Sequence, residues 1–140
     1  MSTPEGITLH DEPPGIDEYR AMRRDAGLST KTPEQAAPAL RNSWAWVTAR
    51  DESARLVGMG RLLGDGGWYF QVADMATAPD CQGRGIGRAV LTRLLDRVEA
   101  EAPANPYVTL MGDAPGRKLY ESMGFVDAMP ESMGMVLRRP

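Results

Sequence analysis

Residues 82–88 read Gln-Gly-Arg-Gly-Ile-Gly-Arg, three glycines at alternate positions directly ahead of a long apolar-striped run. Glycine lets a backbone turn tightly and come close to a bound group. In the run that follows, Val90, Leu91, Leu94, Leu95 and Val98 recur at spacings of one, three and four, which predicts an amphipathic helix from Gly85 to Ala102, ended by Pro103. The first N–H groups of such a helix lack internal partners and carry partial positive charge, so an anion is their natural occupant. Arg84 and Arg88 sharpen this, because a cation in a first helical turn opposes the macrodipole by about 0.3–1 kcal/mol unless an anion sits there. The plainer reading is a glycine loop needed only for close packing, with both arginines in solvent. Two nucleotide readings lose ground: the spacing is G-x-G-x-G rather than G-x-G-x-x-G, and the lysine and Ser/Thr of a P-loop are missing.

The chain around this turn is of single-domain size. Its 140 residues can bury roughly two thirds of the unfolded surface, and 42% hydrophobic with 25% charged residues is a globular balance. A net charge of −3 argues against a nucleic-acid binder that works through overall basicity. Cys81 and His10 are the single residues of their types, which excludes an internal disulfide and a multi-Cys or His-rich metal site. No basic start followed by an apolar stretch opens the chain, and no apolar run is long enough to span a bilayer, so a cytoplasmic location is expected.

The elements that must position the turn follow from patterning. Pro4, Pro13, Pro14, Pro33 and Pro38 predict short elements joined by turns in the first forty residues. Residues 7–9 alternate as a short strand, Ile16 to Ala26 reads as a helix, and Thr32-Pro33-Glu34-Gln35 is an N-cap signature for a helix to about Leu40. Strands are expected at Trp44–Thr48, Leu56–Leu63 and Trp68–Thr77, the last two separated by Gly64-Asp65-Gly66-Gly67. Beyond the long helix come a strand at Tyr107–Met111, a helix at Pro115–Met123 with a late start, and terminal strands at 125–126 and 133–137. Met111, Met123, Met129, Met133 and Met135 are expected to fill gaps in the core. The fold class is α+β: an antiparallel meander, a parallel crossover, then a helix and closing strand.

In this order the residues resemble the GNAT superfamily of acyl-CoA-dependent N-acetyltransferases. Gln82-Gly83-Arg84-Gly85-Ile86-Gly87 matches its pyrophosphate pattern [QR]-x-x-G-x-[GA], and Leu119-Tyr120-Glu121-Ser122-Met123-Gly124-Phe125 is similar to its L-Y-E-x-x-G-F segment. Asp74 to Asp80 looks like the family's fourth strand with its proline exit, and residues 134–137 resemble a common closing strand. Asp113 stands nearest a position where many members carry asparagine, and Gly116 replaces an often-seen alanine.

The resemblance implies a mostly antiparallel sheet of about six or seven strands, splayed after the fourth, with about four helices. It implies one domain over 1–140, with 1–43 as a variable acceptor side and 44–140 as the acyl-CoA core. Main chain from Gln82 to Arg88 would hold the pyrophosphate of acetyl-CoA, and Met75, Ala76 and Thr77 would pair with its pantetheine arm. Tyr120 would protonate the departing thiolate, since a phenol near pKa 10 stays protonated at neutral pH. Asp74 is the candidate base, or else a carboxylate that orients the acceptor or caps a turn; as a base it needs burial or a water relay. A strand N–H near Met75 would meet the oxyanion. Tyr19, Arg23 and Trp68, with Trp44 and Tyr69, are weaker acceptor-pocket candidates. Cys81 has no His neighbour in sequence and is a poor nucleophile candidate. The expected function is acetyl transfer to a small-molecule primary amine in a ternary complex, without metal, nucleic acid or membrane, as a possible homodimer. The alternatives are a protein or peptide N-acetyltransferase and a non-catalytic CoA-binding sensor.

Overall fold

Alternating side chains and short polar turns build a meander of three antiparallel strands, beside which an earlier strand pairs across two intervening helices, in the computed structural model, which describes residues 3–139. The elements run β1 (Thr8–His10), α1 (Ile16–Asp25), α2 (Pro33–Asn42), β2 (Ala45–Arg50), β3 (Leu56–Gly64), β4 (Tyr69–Thr77), α3 (Ile86–Glu101), β5 (Tyr107–Leu110) and α4 (Arg117–Ser122). Sheet order is β1-β2-β3-β4-β5, antiparallel as far as β4 and parallel between β4 and β5. The chain forms two compact units, residues 1–110 and residues 111–140.

In the first unit, strand alternation sorts the residues onto two faces. Val47 lies opposite Gly60 and Ala49 opposite Gly58, on the face that receives α3. A Cβ at Gly58 would sit 2.5 Å from Ile86 Cγ2, and one at Gly60 2.5 Å from Met75 Sδ and 3.0 Å from Val90 Cγ1. Two bare positions on β3 therefore let α3 bed directly on the sheet, where Ile86, Val90, Leu91 and Leu94 are buried. The opposite face carries Trp46 across from Arg61 and Thr48 across from Met59, and it packs beneath α1 through Tyr19.

Two features of β4 shape the site. Between the pairs Met59–Ala76 and Arg61–Ala73, β3 has one residue and β4 has two, so β4 carries a bulge at Asp74–Met75. Asp74 takes the left-handed conformation there (φ 55°), which aspartate adopts more readily than most side chains. Pairing with β5 covers only Tyr69–Val72 and stops at Leu110, leaving β4 from Ala73 to Thr77 without a strand on that side among the described residues.

The sheet has five strands, not six or seven. Residues 125–126 and 133–137 form no strand among the described residues, because a strand exists only with a neighbour to receive its hydrogen bonds, and nothing in the second unit supplies one. The expectation that methionines fill the core is not met by Met111, Met129, Met133 and Met135, which are exposed; within the second unit the one regular helix is the six-residue α4. Helix α4 starts at Arg117, after a 3₁₀ turn over Ala114–Gly116, as the turn-rich residues before it suggest.

Candidate active site

The anion turn is built as its glycines demand. Gly83 and Gly85 lie in the left-handed region (φ 80° and 85°), and Gly85 is the N-cap of α3. A Cβ on Gly83 would meet nothing within 4 Å, and one on Gly85 only Pro4 Cγ at 3.9 Å, so the space above the turn is open. Helices α1 and α2 begin differently. Glu18 accepts from the Gly15 N–H at 2.7 Å, and Thr32 and Gln35 satisfy each other's N–H groups at 3.2 and 3.0 Å. The first turn of α3 has no side-chain cap and no acidic residue, while Arg84 is exposed beside it and donates to Glu5 O at 3.3 Å. Gln82 is exposed and its Nε2 donates weakly to Thr77 O at 3.4 Å, tying the turn back to the end of β4. A helix start without a side-chain cap, approachable main chain and adjacent cations together fit a diphosphate.

On the α1 face of the sheet, the β4 bulge drives Asp74 into a cluster of charge. Arg23 and Arg61 both form ion pairs with its carboxylate, Arg61 Nε donating at 2.6 Å, and the Tyr19 hydroxyl donates at 2.9 Å. The Asp74 side chain is 1% exposed and those of Arg23 and Arg61 are 13% and 16% exposed, so the pairing is largely shielded from water. Each arginine is anchored a second time. Arg23 donates to Ser29 O and Ser29 Oγ; Arg61 Nη1 donates to Ser43 Oγ at 3.0 Å, which donates in turn to Ala39 O. Arg61 also lies over the Trp46 ring, 5.8 Å from its centroid, and Trp46 packs edge-on against Tyr19. Burial, and then the adjacent Asp74 carboxylate, push the Tyr19 hydroxyl up to about 12, so it stays a donor at any physiological pH.

Asp74 thus accepts from three groups, two of them cationic. A carboxylate so engaged is fixed in place and has most of its acceptor positions filled. The geometry joins Tyr19, Arg23 and Asp74, which were named from sequence, and adds Arg61, Ser29, Ser43 and Trp46, which were not. An arginine inside the apolar strand Leu56–Leu63 was the available signal. Trp68 and Tyr69 lie elsewhere, exposed and stacked with Tyr107 at the β3–β4 hairpin end of the sheet. Trp44 packs on Phe70, beneath the Arg97 guanidinium of α3. Cys81 is buried against Asp80 and Arg55, which form a bidentate ion pair at 2.8–2.9 Å.

In the second unit, the Tyr120 ring lies against the Gly116 backbone, where an added Cβ would be 2.8 Å from the ring, and edge-on to Phe125. Its hydroxyl has no hydrogen-bond partner among the described residues. Burial and then the Asp113 carboxylate raise its pKa, which keeps it protonated as a proton donor requires. Among the described residues no group of three or more His, Cys, Asp or Glu could hold a metal ion, and no helix is long and apolar enough to cross a membrane.

Comparison with known proteins agrees with this geometry. Residues 41–127 match the family model described as "Acetyltransferase (GNAT) domain". The Staphylococcus aureus protein SA2161, whose structure is described as a "Probable Acetyltransferase", is 35% identical with a TM-score of 0.89, over 95% of this chain and 99% of that one. SP0256 of Streptococcus pneumoniae TIGR4, an acetyltransferase described as a GNAT family protein, is 26% identical with a TM-score of 0.80, over 95% of this chain and 98% of that one. The chain belongs to the GNAT acetyltransferase family. Serotonin N-acetyltransferase 2, chloroplastic, of Oryza sativa subsp. japonica is 29% identical over 116 residues, 81% of this chain. Histone acetyltransferase TAP1 of Glycine max is 26% identical over 130 residues, 84% of this chain. The chain spans only 57% and 55% of the lengths of these two plant relatives.

Proposed function

We propose that this protein transfers an acetyl group from acetyl-CoA to the primary amine of a small molecule, by direct attack in a ternary complex. Residues 1–140 would work as one catalytic domain, with 1–43 on the acceptor side. One observation carries the reading: the uncapped start of α3, behind two left-handed glycines, follows directly on the stretch of β4 that β5 does not pair with. When bound there, acetyl-CoA supplies the thioester. The N–H groups of Gly83 to Arg88 would hold its diphosphate, and the β4 segment Met75, Ala76 and Thr77 would turn the main chain of its β5 side to the pantetheine arm. The N–H of the bulged residue Met75 is the donor nearest the carbonyl oxygen.

As the new C–N bond forms and the C–S bond breaks, the leaving sulfur takes the proton of the Tyr120 hydroxyl, while the proton shed by the amine nitrogen passes to solvent water and is returned from water to the Tyr120 oxygen. Asp74 serves as the organiser of the acceptor pocket rather than its base, because its oxygens already accept from Arg23, Arg61 and Tyr19. A small acceptor is favoured because α1 packs against both α2 and β4 over this face, closing it above the Asp74 cluster. The test is calorimetric titration with acetyl-CoA and CoA, followed by thiol release with a panel of small amines and lysine peptides. CoA binding with release on small amines supports the reading; release on peptides alone makes the acceptor a protein. Binding without release on either makes the protein a sensor, and absence of binding refutes the site.

A further inference from the structure

Hydrogen-bond donors are left over on one face of the first unit's sheet. Two buried side-chain polar atoms, Trp46 Nε1 and Thr48 Oγ1, have no hydrogen-bond partner among the described residues. Both residues belong to β2 and stand two positions apart, so they share the face that packs beneath α1, and Trp46 is only 3% exposed. Buried polar groups are nearly always bonded, and an indole nitrogen can only donate, so Trp46 lacks an acceptor. Register places Trp46 directly across from Arg61, whose guanidinium carbon lies 5.8 Å from the indole centroid. Arg61 engages Asp74 through Nε and Ser43 Oγ through Nη1, while its Nη2 has no partner among the described residues. Thr48 stands one pair further along, opposite Met59.

Charge points the same way. Arg23 and Arg61 bring two positive charges to Asp74, which brings one negative, and no second carboxylate bonds to either guanidinium among the described residues. The acidic residues of α1 are engaged elsewhere or in water: Glu18 pairs with Arg50, and Asp17 and Asp25 are exposed. One positive charge is therefore unbalanced among side chains largely shielded from water, a costly state until an anion joins it. A monoanion balances it. The two oxygens of a carboxylate match the two unused donors, whereas a phosphate dianion would overshoot the charge.

We propose that Arg61 and Trp46 bind a carboxylate, so that the acceptor is a primary amine that also carries a carboxylate group, as amino acids do. The amine half of this statement rests on the acetyl-transfer reading above; the carboxylate half does not. Anchored at Arg61, the acid lies next to β4, where Met75 follows Asp74 in the bulge beside the proposed thioester. Arg61 and Trp46 then set which amines are accepted, and neither moves a proton.

Thermal melting in sodium butyrate against sodium chloride at equal ionic strength reads the site without turnover. Butyrate at ten times its Kd is expected to raise the melting temperature by about 4 °C. Trp46→Phe keeps a ring and removes the donor, and Arg61→Lys keeps a cation for Asp74 and removes the planar fork; each is expected to abolish the increment. Thr48→Val is expected to retain it. The increment is read within each variant, so a variant's own loss of stability cancels. In acetyl transfer, 5-aminopentanoate is compared with pentylamine, and phenylalanine with 2-phenylethylamine. The acid is expected to be favoured about tenfold or more in kcat/KM in at least one pair, a gap that Trp46→Phe narrows through KM. Equal increments in butyrate and chloride, an increment that survives both substitutions, or equal use of both members of each pair overturns the proposal. Acetyl-CoA binding with no transfer to any amine, the butyrate increment being intact, refutes the transfer reading and upholds the carboxylate site.

Discussion

Replacing Asp74 with asparagine separates its two possible roles. The substitution keeps the side-chain volume and removes one charge from a cluster of three. Arg23 and Arg61 would then face each other largely shielded from water, their side chains 13% and 16% exposed, without their shared counterion. Removing one partner of a buried ion pair costs about 3–5 kcal/mol, much of it the penalty for stranding the remaining charge. For a domain of this size that corresponds to a melting temperature lower by about 10–15 °C. Calorimetry or circular dichroism reads this directly, and a double variant with Arg23→Met should recover part of the loss, a coupling of about 1 kcal/mol or more. Below the new melting point, turnover should be reduced by a similar factor at every pH, because an organiser passes no proton to or from the substrate. A melting temperature within about 3 °C of the parent would refute the buried-cluster argument. Loss of a pH-dependent limb in the rate profile would restore Asp74 as the base.

Four further outcomes follow from the same geometry. Tyr120→Phe should lower kcat by about 10²–10⁴-fold while calorimetry finds CoA affinity nearly unchanged; equal turnover removes Tyr120 from its role. Gly85→Ala forces a Cβ onto a φ of 85°, with strain of about 1–2 kcal/mol, and should weaken CoA binding in titration, whereas unchanged affinity would detach the turn from the diphosphate. Gly60→Val should cost about 1–3 kcal/mol in urea unfolding, because its Cβ alone lies 2.5 Å from Met75 Sδ and 3.0 Å from Val90 Cγ1. Tyr19 has its folded pKa raised to about 12 against roughly 10 in the unfolded chain, so the folded state binds more protons between those values. Stability is therefore full below pH ~10 and is lost as pH rises towards ~12; Tyr19→Phe should flatten that alkaline slope in urea titrations, and a parallel slope would contradict the buried hydroxyl.

The long helix, the meander and the anion turn were legible in the sequence because each rests on short-range physics. The apolar stripe from Val90 to Val98 has the period of one helix, Gly64-Asp65-Gly66-Gly67 forces a hairpin, and Gly83 and Gly85 mark backbone that other residues resist. The acceptor-side cluster was only half legible. Tyr19, Arg23 and Asp74 were named separately, but their meeting depends on contacts across 51 and 55 positions and on a bulge that no local pattern announces. Arg61 escaped notice because strand alternation says that a residue faces one side, not that an anion waits there.

The closing strands were misread for a related reason. Residues 133–137 have the composition and period of a strand, yet a strand is a relation between two segments, and its partner cannot be inferred from the segment itself. Periodicity and glycine placement are properties of neighbouring residues, so the sequence alone determined the helix, the turn and the family they belong to. Burial, charge pairing and strand neighbours join distant residues, so only tertiary structure decided that Asp74 is locked between two arginines.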